Sequence, residues 1–305
     1  MGVFLCYARR YAIVAEKKAD NVRGIWLMII GSAVLVTNDA VTKHLTEGFP
    51  VWQVLTLRHI AALLVILLYA KYVTGWNALK VGHWPSQILR GFTFIGTTVL
   101  VTISLSLLPL ATFTAIVFSG PLFVAALSAP LLGESVGWRR WVAISIGFIG
   151  VLIIVRPGSQ TYEAVLLIPV ITAVFSALRD IVTRRISATE TSLGILFWST
   201  LIVIAASLLV APWGWNPVGW VDAGWFVLCG VLNAGAHFLI IEALRYGAAA
   251  TVSPFRYSAL LWSLIFGFLI WGHLPSIWVY AGGTLIVASG VFMIRRESKL
   301  KAERG

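Results

Sequence analysis

Ser176, Arg179, Asp180 and Thr183 recur at i, i+3, i+4 and i+7 within an otherwise apolar stretch, so on a helix they form one stripe. Such a stripe is costly against hydrocarbon and must face protein or water, where it can hold a polar solute. The plainer reading is that Arg179 reaches toward the membrane surface and pairs with Asp180. Asn233 and His237, at i and i+4, share a second helical face, with Glu242 about 140° further round. A third set, Ser253, Arg256 and Tyr257 at i, i+3 and i+4, surrounds Pro254. Arg256 has no acidic neighbour within one helical turn, so its guanidinium still seeks an anionic or carbonyl group. With Asp39 and Thr97 these residues form the candidate substrate site: Asn233, His237, Arg256, Tyr257, Ser176, Arg179, Asp180, Asp39 and Thr97. Their chemistry is recognition of an organic solute with polar and aromatic parts, better suited to that than to a bare ion.

The elements that position them follow from composition. The 305 residues are 59% hydrophobic and 11% charged, with mean hydropathy +0.90, which excludes an ordinary soluble surface and places the chain in a membrane. Apolar runs fall at roughly 24–42, 51–70, 88–107, 111–131, 141–155, 164–183, 192–211, 223–243, 249–271 and 277–294. Most approach the roughly 20 residues that a spanning helix needs; the run 141–155 is short. Barrel strands are excluded, because the runs are too long and do not alternate. Pro254, and Pro121 beside Ser119 and Gly120, predict bends or breaks in the ninth and fourth runs, or simple kinks for packing.

The net charge of +11 orients the chain instead of binding nucleic acid. With both termini in the cytoplasm, 19 of the 23 Lys and Arg fall on the cytoplasmic side, leaving Lys43, Arg58, Arg156 and Arg256. Residues 1–23 read as a cytoplasmic tail with neither a cleaved signal nor a myristoylation motif, and 295–305 as a basic cytoplasmic tail.

The chain repeats itself. Asn38-Asp39-Ala40-Val41-Thr42-Lys43 corresponds to Arg179-Asp180-Ile181-Val182-Thr183-Arg184, and an offset of 139 pairs Ser104-Leu105 with Ala243-Leu244, Ala111-Thr112 with Ala250-Thr251, and Gly133-Glu134 with Gly272-His273. Each half, 24–156 and 163–294, carries five runs, so the second enters the bilayer from the opposite side. The expected fold is an all-α polytopic membrane protein of ten transmembrane helices in a 5+5 inverted repeat, the build of many secondary transporters.

Other polar residues have structural readings. Arg58, deep in the second run, calls for a partner, and Asp39 is the natural one, as a structural ion pair or a substrate contact. His59 reads as a satisfied core histidine. Of the fourteen Trp, most fall near run ends as an interfacial belt, whereas Trp198 and Trp262 read as deep core residues. Cys6 and Cys229 lie on different sides of the interface, so neither a disulfide nor a metal site is implied, and no cofactor is called for.

A family resemblance rests on particular residues. The helix Gly91 to Leu105 ending in a Ser-Leu-x-x-Leu-Pro step, the run Ala111-Thr112-Phe113-Thr114-Ala115 leading to Ser119-Gly120-Pro121-Leu122, and Leu132-Gly133-Glu134 before a basic-aromatic turn resemble EamA-type permeases of the drug/metabolite transporter superfamily. The resemblance covers roughly 24–294. It implies a bacterial inner-membrane carrier with a central cavity walled mainly by helices 1, 3, 4, 6, 8 and 9, with helices 5 and 10 as outer supports. The Gly-Glu step matches at Glu134 only; the second half has His273. Similar members handle amino acids, vitamins such as riboflavin, S-adenosylmethionine-like nucleosides or exported metal-chelating metabolites.

The expected function is therefore a permease moving a small organic metabolite by alternating access. Export of an amino-acid-derived or metal-chelating metabolite is the alternative, and a membrane enzyme the non-transport one. No reactive constellation for an enzyme and no filter segment or charge ring for a channel is visible. Partners are the solute and membrane lipids, with no nucleic acid; a homodimer is compatible with the sequence.

Overall fold

The computed structural model describes residues 21–132, 138–156, 164–186, 190–210, 214–246 and 252–304. The tail through residue 20 with Cys6, the Gly133-Glu134 step, Trp213 and the Ala250-Thr251 pair lie outside the described residues. Among those described, all regular structure is helical: α1 (Asn21–Gly48), α2 (Val51–Tyr69), α3 (Trp84–Leu107), α4 (Leu110–Val117), α5 (Gly120–Leu132), α6 (Trp138–Val155), α7 (Leu167–Ile186), α8 (Ser192–Val210), α9 (Trp220–Tyr246), α10 (Ser258–Trp271) and α11 (Ile277–Arg304). Hydrocarbon offers backbone groups no partners, so apolar runs of this length must bond within themselves. Seven helical stretches are long and apolar enough to cross a membrane, and Trp141–Val155, Phe255–Trp271 and Ile277–Met293 are shorter apolar helices.

Breaks have local causes. Leu108 is extended (φ −119°, ψ 151°), as the residue before Pro109 must be, and Pro109 then caps α4. The fourth run, 111–131 in the sequence, is two helices, interrupted at Phe118 and Ser119 just before Pro121. The Ser119 hydroxyl and backbone N–H both donate to the Ile116 carbonyl, at 2.6 and 3.0 Å, so that this carbonyl stays satisfied at the break. In the ninth run a 3-10 turn, Ser253–Tyr257, containing Pro254, precedes α10. The two interruptions contain Phe118 and Tyr257, which differ by the repeat offset of 139, and their ring centroids lie 5.5 Å apart. Gly272, at φ 66°, closes α10 in a left-handed cap: its N–H donates to the Phe268 carbonyl, and that of His273 to Gly267, an αL cap that explains the Gly.

The halves do not form separate bodies. The most extensively packed pairs are α1 with α9, α6 with α11, α3 with α7, α2 with α9 and α2 with α8, each joining the first half to the second. Exchange of the halves turns α1–α9 into α7–α3. Every buried apolar cluster likewise mixes them, as when Met28 packs with Ile240, Ala243 and Val252, or Leu122 and Ile144 with Met293. Where α6 crosses α11, a Cβ on Gly150 would lie 2.6 Å from the Gly282 carbonyl oxygen, so only glycine permits that approach.

Candidate substrate cavity

Between the halves lies a cavity of about 540 Å³, within the roughly 300–1,000 Å³ typical of small-molecule sites. All nine sequence-predicted site residues, Asp39, Thr97, Ser176, Arg179, Asp180, Asn233, His237, Arg256 and Tyr257, stand on its wall. They come from α1, α3, α7, α9 and the turn before α10, so helical spacing within each element and packing between elements both contribute. The wall also takes Arg58 and His59 from α2 and Gly290 and Met293 from α11. This corrects the expected division of labour: the second and tenth runs join the wall, and the tenth is not only a support. The reason is the close approach of Gly290, where an added Cβ would sit 1.7 Å from the Tyr257 hydroxyl oxygen.

At one end of the cavity, Arg58 and its expected partner Asp39 act on each other through charge, but the hydrogen bonds of the guanidinium go to neutral groups. The Arg58 guanidinium donates to the hydroxyls of Thr42 (3.1 Å) and Thr98 (2.5 Å), and among the described residues no contact of ion-pair distance joins it to Asp39. α1 and α3 bring two threonines closer to the guanidinium than the carboxylate can reach. Asp39 receives one hydrogen bond, from the adjacent Asn38 amide at 3.3 Å, while the Cys229 thiol donates to the Asn38 side-chain oxygen at 3.3 Å. His59 Nδ1 is 2.7 Å from the Leu55 carbonyl and packs edge-on against Phe94, a satisfied histidine on the wall.

At the other end, Arg179 donates to the Asp180 carboxylate at 2.8 and 3.0 Å, the pairing that was the plainer reading of that stripe. Thr183, the stripe's last member, turns instead to Arg90, whose Nε donates to its hydroxyl at 2.9 Å. The Arg256 guanidinium makes no hydrogen bond or ion pair among the described residues, yet the residue lines the cavity. The carbonyl that Pro254 would free belongs to Ala250, outside the described residues.

Two sequence readings change, those of Arg90 and Trp198. Arg90, counted with the cytoplasmic surface charges, is buried and donates to Ser199 and the Ile195 carbonyl as well as to Thr183; α3, α7 and α8 converge on it. Trp198 is not a deep residue: its indole N–H donates to the Leu79 carbonyl at 3.0 Å and its ring meets Trp84 edge-on, beside the segment joining α2 to α3. Trp262 stacks near Phe266 in a core cluster with Val36 and Ala259. Lys43, left without a role by the sequence, donates to the carbonyls of Leu105 and Leu108 at 2.9 and 3.0 Å and so caps the end of α3. Sequence reasoning missed Thr98 and the rings of Phe94, Phe113 and Phe118 on the wall. The threonine series Thr93, Thr97, Thr98 and Thr102 in one apolar run was the available signal for the first; nothing distinguished the phenylalanines from core.

With this geometry in place, the model of the EamA-like transporter family matches residues 22–156 and again 163–296. An S-adenosylmethionine uptake transporter of Rickettsia prowazekii is 28% identical over 90% of this chain and 94% of its own length. A riboflavin transporter of Vibrio cholerae is 28% identical over 90% and 93%, and a pseudopaline exporter of Pseudomonas aeruginosa 24% identical over 89% and 96%. A solved crystal structure at 19% identity superposes with a TM-score of 0.60, covering 90% of this chain and 97% of that one, so the fold is shared.

Proposed function

The chain belongs to the EamA-like transporter family, and from that premise we propose that it carries a riboflavin-like vitamin, an amino acid or a nucleoside-type solute by alternating access of a ten-helix 5+5 inverted repeat. It is a multi-pass inner-membrane protein that transports small metabolites. In the proposed arrangement both termini are cytoplasmic and the repeats are 24–156 and 163–294. What supports the reading is one observation: a cavity of drug-like volume whose polar residues are contributed by both halves, so that rocking one half against the other changes access to a shared site.

Purified protein in proteoliposomes tests the reading. Saturable uptake accelerated by the same unlabelled solute on the opposite side, across a panel of S-adenosylmethionine, riboflavin and amino acids, is the expected result, with the solute recovered unchanged. Linear, unsaturable flux or a chemically altered solute would overturn it. Topology is tested separately: reporters after Glu297 and at Ala78 should read cytoplasm and one at Asn216 the outside, and agreement of the Glu297 and Asn216 signals would sink the ten-helix arrangement.

A further inference from the structure

The cavity presents two opposite charges that the protein leaves open. Asp39 is half-buried on the wall, and its carboxylate accepts one bond, from its own neighbour Asn38. A carboxylate has about four acceptor positions, so most of its capacity is unused. Arg58 acts on it through charge but gives its hydrogen bonds to Thr42 and Thr98, so the carboxylate's remaining acceptor positions stay unfilled. Arg256 is the converse, a guanidinium on the same wall with neither hydrogen bond nor ion pair among the described residues. The remaining charged pair of the wall, Arg179 with Asp180, is closed on itself.

The packing sets the distance between the two. Val252 packs on Met28 and Ala259 on Val36 and Ala40, so Arg256 stands beside α1 between those levels, several residues short of Asp39. At 1.5 Å per residue the two backbone positions are offset along α1 by on the order of 10 Å. The rest of the wall includes the polar side chains of Asn233 and His237 and the rings of Phe94 and Phe118.

Resting on the transport reading above, we propose that the solute is a zwitterion with its charges set apart: a cationic centre held by Asp39, a carboxylate or other anion held by Arg256, and a flat, partly polar body against the rest of the wall. The cation then fills the open acceptor positions of Asp39, and the anion gives the Arg256 guanidinium a partner. A compact α-amino acid, whose charges are adjacent, satisfies one end only, and a neutral ring system satisfies neither.

The test uses the full-length transporter and four probes: S-adenosylmethionine, which carries a sulfonium and a distant carboxylate; S-adenosylhomocysteine, which lacks the sulfonium charge; methionine; and riboflavin. Half-saturating concentrations come from thermal shift in detergent and counterflow in proteoliposomes. The sulfonium probe should bind roughly tenfold tighter than its thioether, the worth of one charge-assisted contact. Asp39→Asn should erase that preference, Asp39→Glu should keep part of it, and Arg256→Gln should weaken both nucleosides by a similar factor, all with monodisperse elution as the folding check. An unchanged sulfonium preference in Asp39→Asn would overturn the assignment, as would Arg256→Gln binding like the parent. Saturable riboflavin counterflow without response to the charged probes leaves the transport reading standing and sinks the zwitterion; absence of saturable flux for all four sinks both.

Discussion

The halves meet along two seams built from different chemistry. On the side of α2, α3, α7 and α8 the contacts are polar and span the molecule from end to end. Gln53 and Asn216 exchange bonds at 2.8 and 2.9 Å, and the Asn216 amide also donates to Gly48; Thr56 donates to Ser207 at 2.8 Å; Arg90 binds α7 and α8. At the far end the Glu190 carboxylate accepts from the N–H groups of Gly82 and His83, and Thr191 donates to Ala78. On the side of α6 and α11 the join is Gly150 against Gly282, with Ile154 and Ile286 around them. A hydrogen bond broken in hydrocarbon finds no water to replace it, whereas an apolar contact exchanges for lipid of equal apolarity and is held by fit alone. The first seam resists separation and the second resists only misfit.

That contrast orders the expected effects of mutation. The largest is Gly282→Val: its Cβ would meet the Gly150 carbonyl oxygen at 2.3 Å, and overpacking against backbone costs about 3 kcal/mol or more, seen as loss of monodisperse protein. Gly282→Val that folds and melts like the parent would show that the α6–α11 seam has slack. Arg90→Met comes next, at roughly 2–3 kcal/mol for a charged group with several acceptors, read as a lowered melting temperature in detergent. Gln53→Ala should cost about 1–2 kcal/mol, since it strands the Asn216 backbone groups, and Asn216→Ala, which removes the separate side-chain bond to Gly48, should add about 1 kcal/mol of its own. Glu190→Gln, at an exposed connection, should cost less than about 1 kcal/mol. Smallest in stability is the coupling between Asp39→Asn and Arg58→Gln: with Arg58 bound to threonines, the double mutant should equal the sum of the singles within about 0.5 kcal/mol, and strong rescue would mean that the two side chains meet after all.

Legibility in the sequence tracked the same physics. Helix positions were readable because hydrocarbon enforces length and apolarity, and charges inside apolar runs singled out Asp39, Arg179, Asp180 and Arg256 because such residues are too costly to be incidental. Phe94 and Phe118 were not legible as wall residues, since a phenylalanine on a cavity and one in a core have the same cost in an apolar run. Arg90 was misread as a surface charge because its partners, Thr183 and Ser199, are neutral and distant in sequence.

The sequence by itself determined that the chain is a membrane protein, that it is helical, that its two halves are related, and which polar side chains had to turn away from lipid. Each of these follows from local composition or spacing, where the free-energy terms are large and need no knowledge of neighbours. Only the tertiary structure decided which partners those side chains have: that Arg58 goes to Thr42 and Thr98 and leaves Asp39 open, that Lys43 caps α3, and that Arg179 closes on Asp180 while Arg256 closes on nothing described. Those choices depend on differences of an ångström or two between helices drawn from opposite halves, which are set by packing and left unspecified by any single run of sequence.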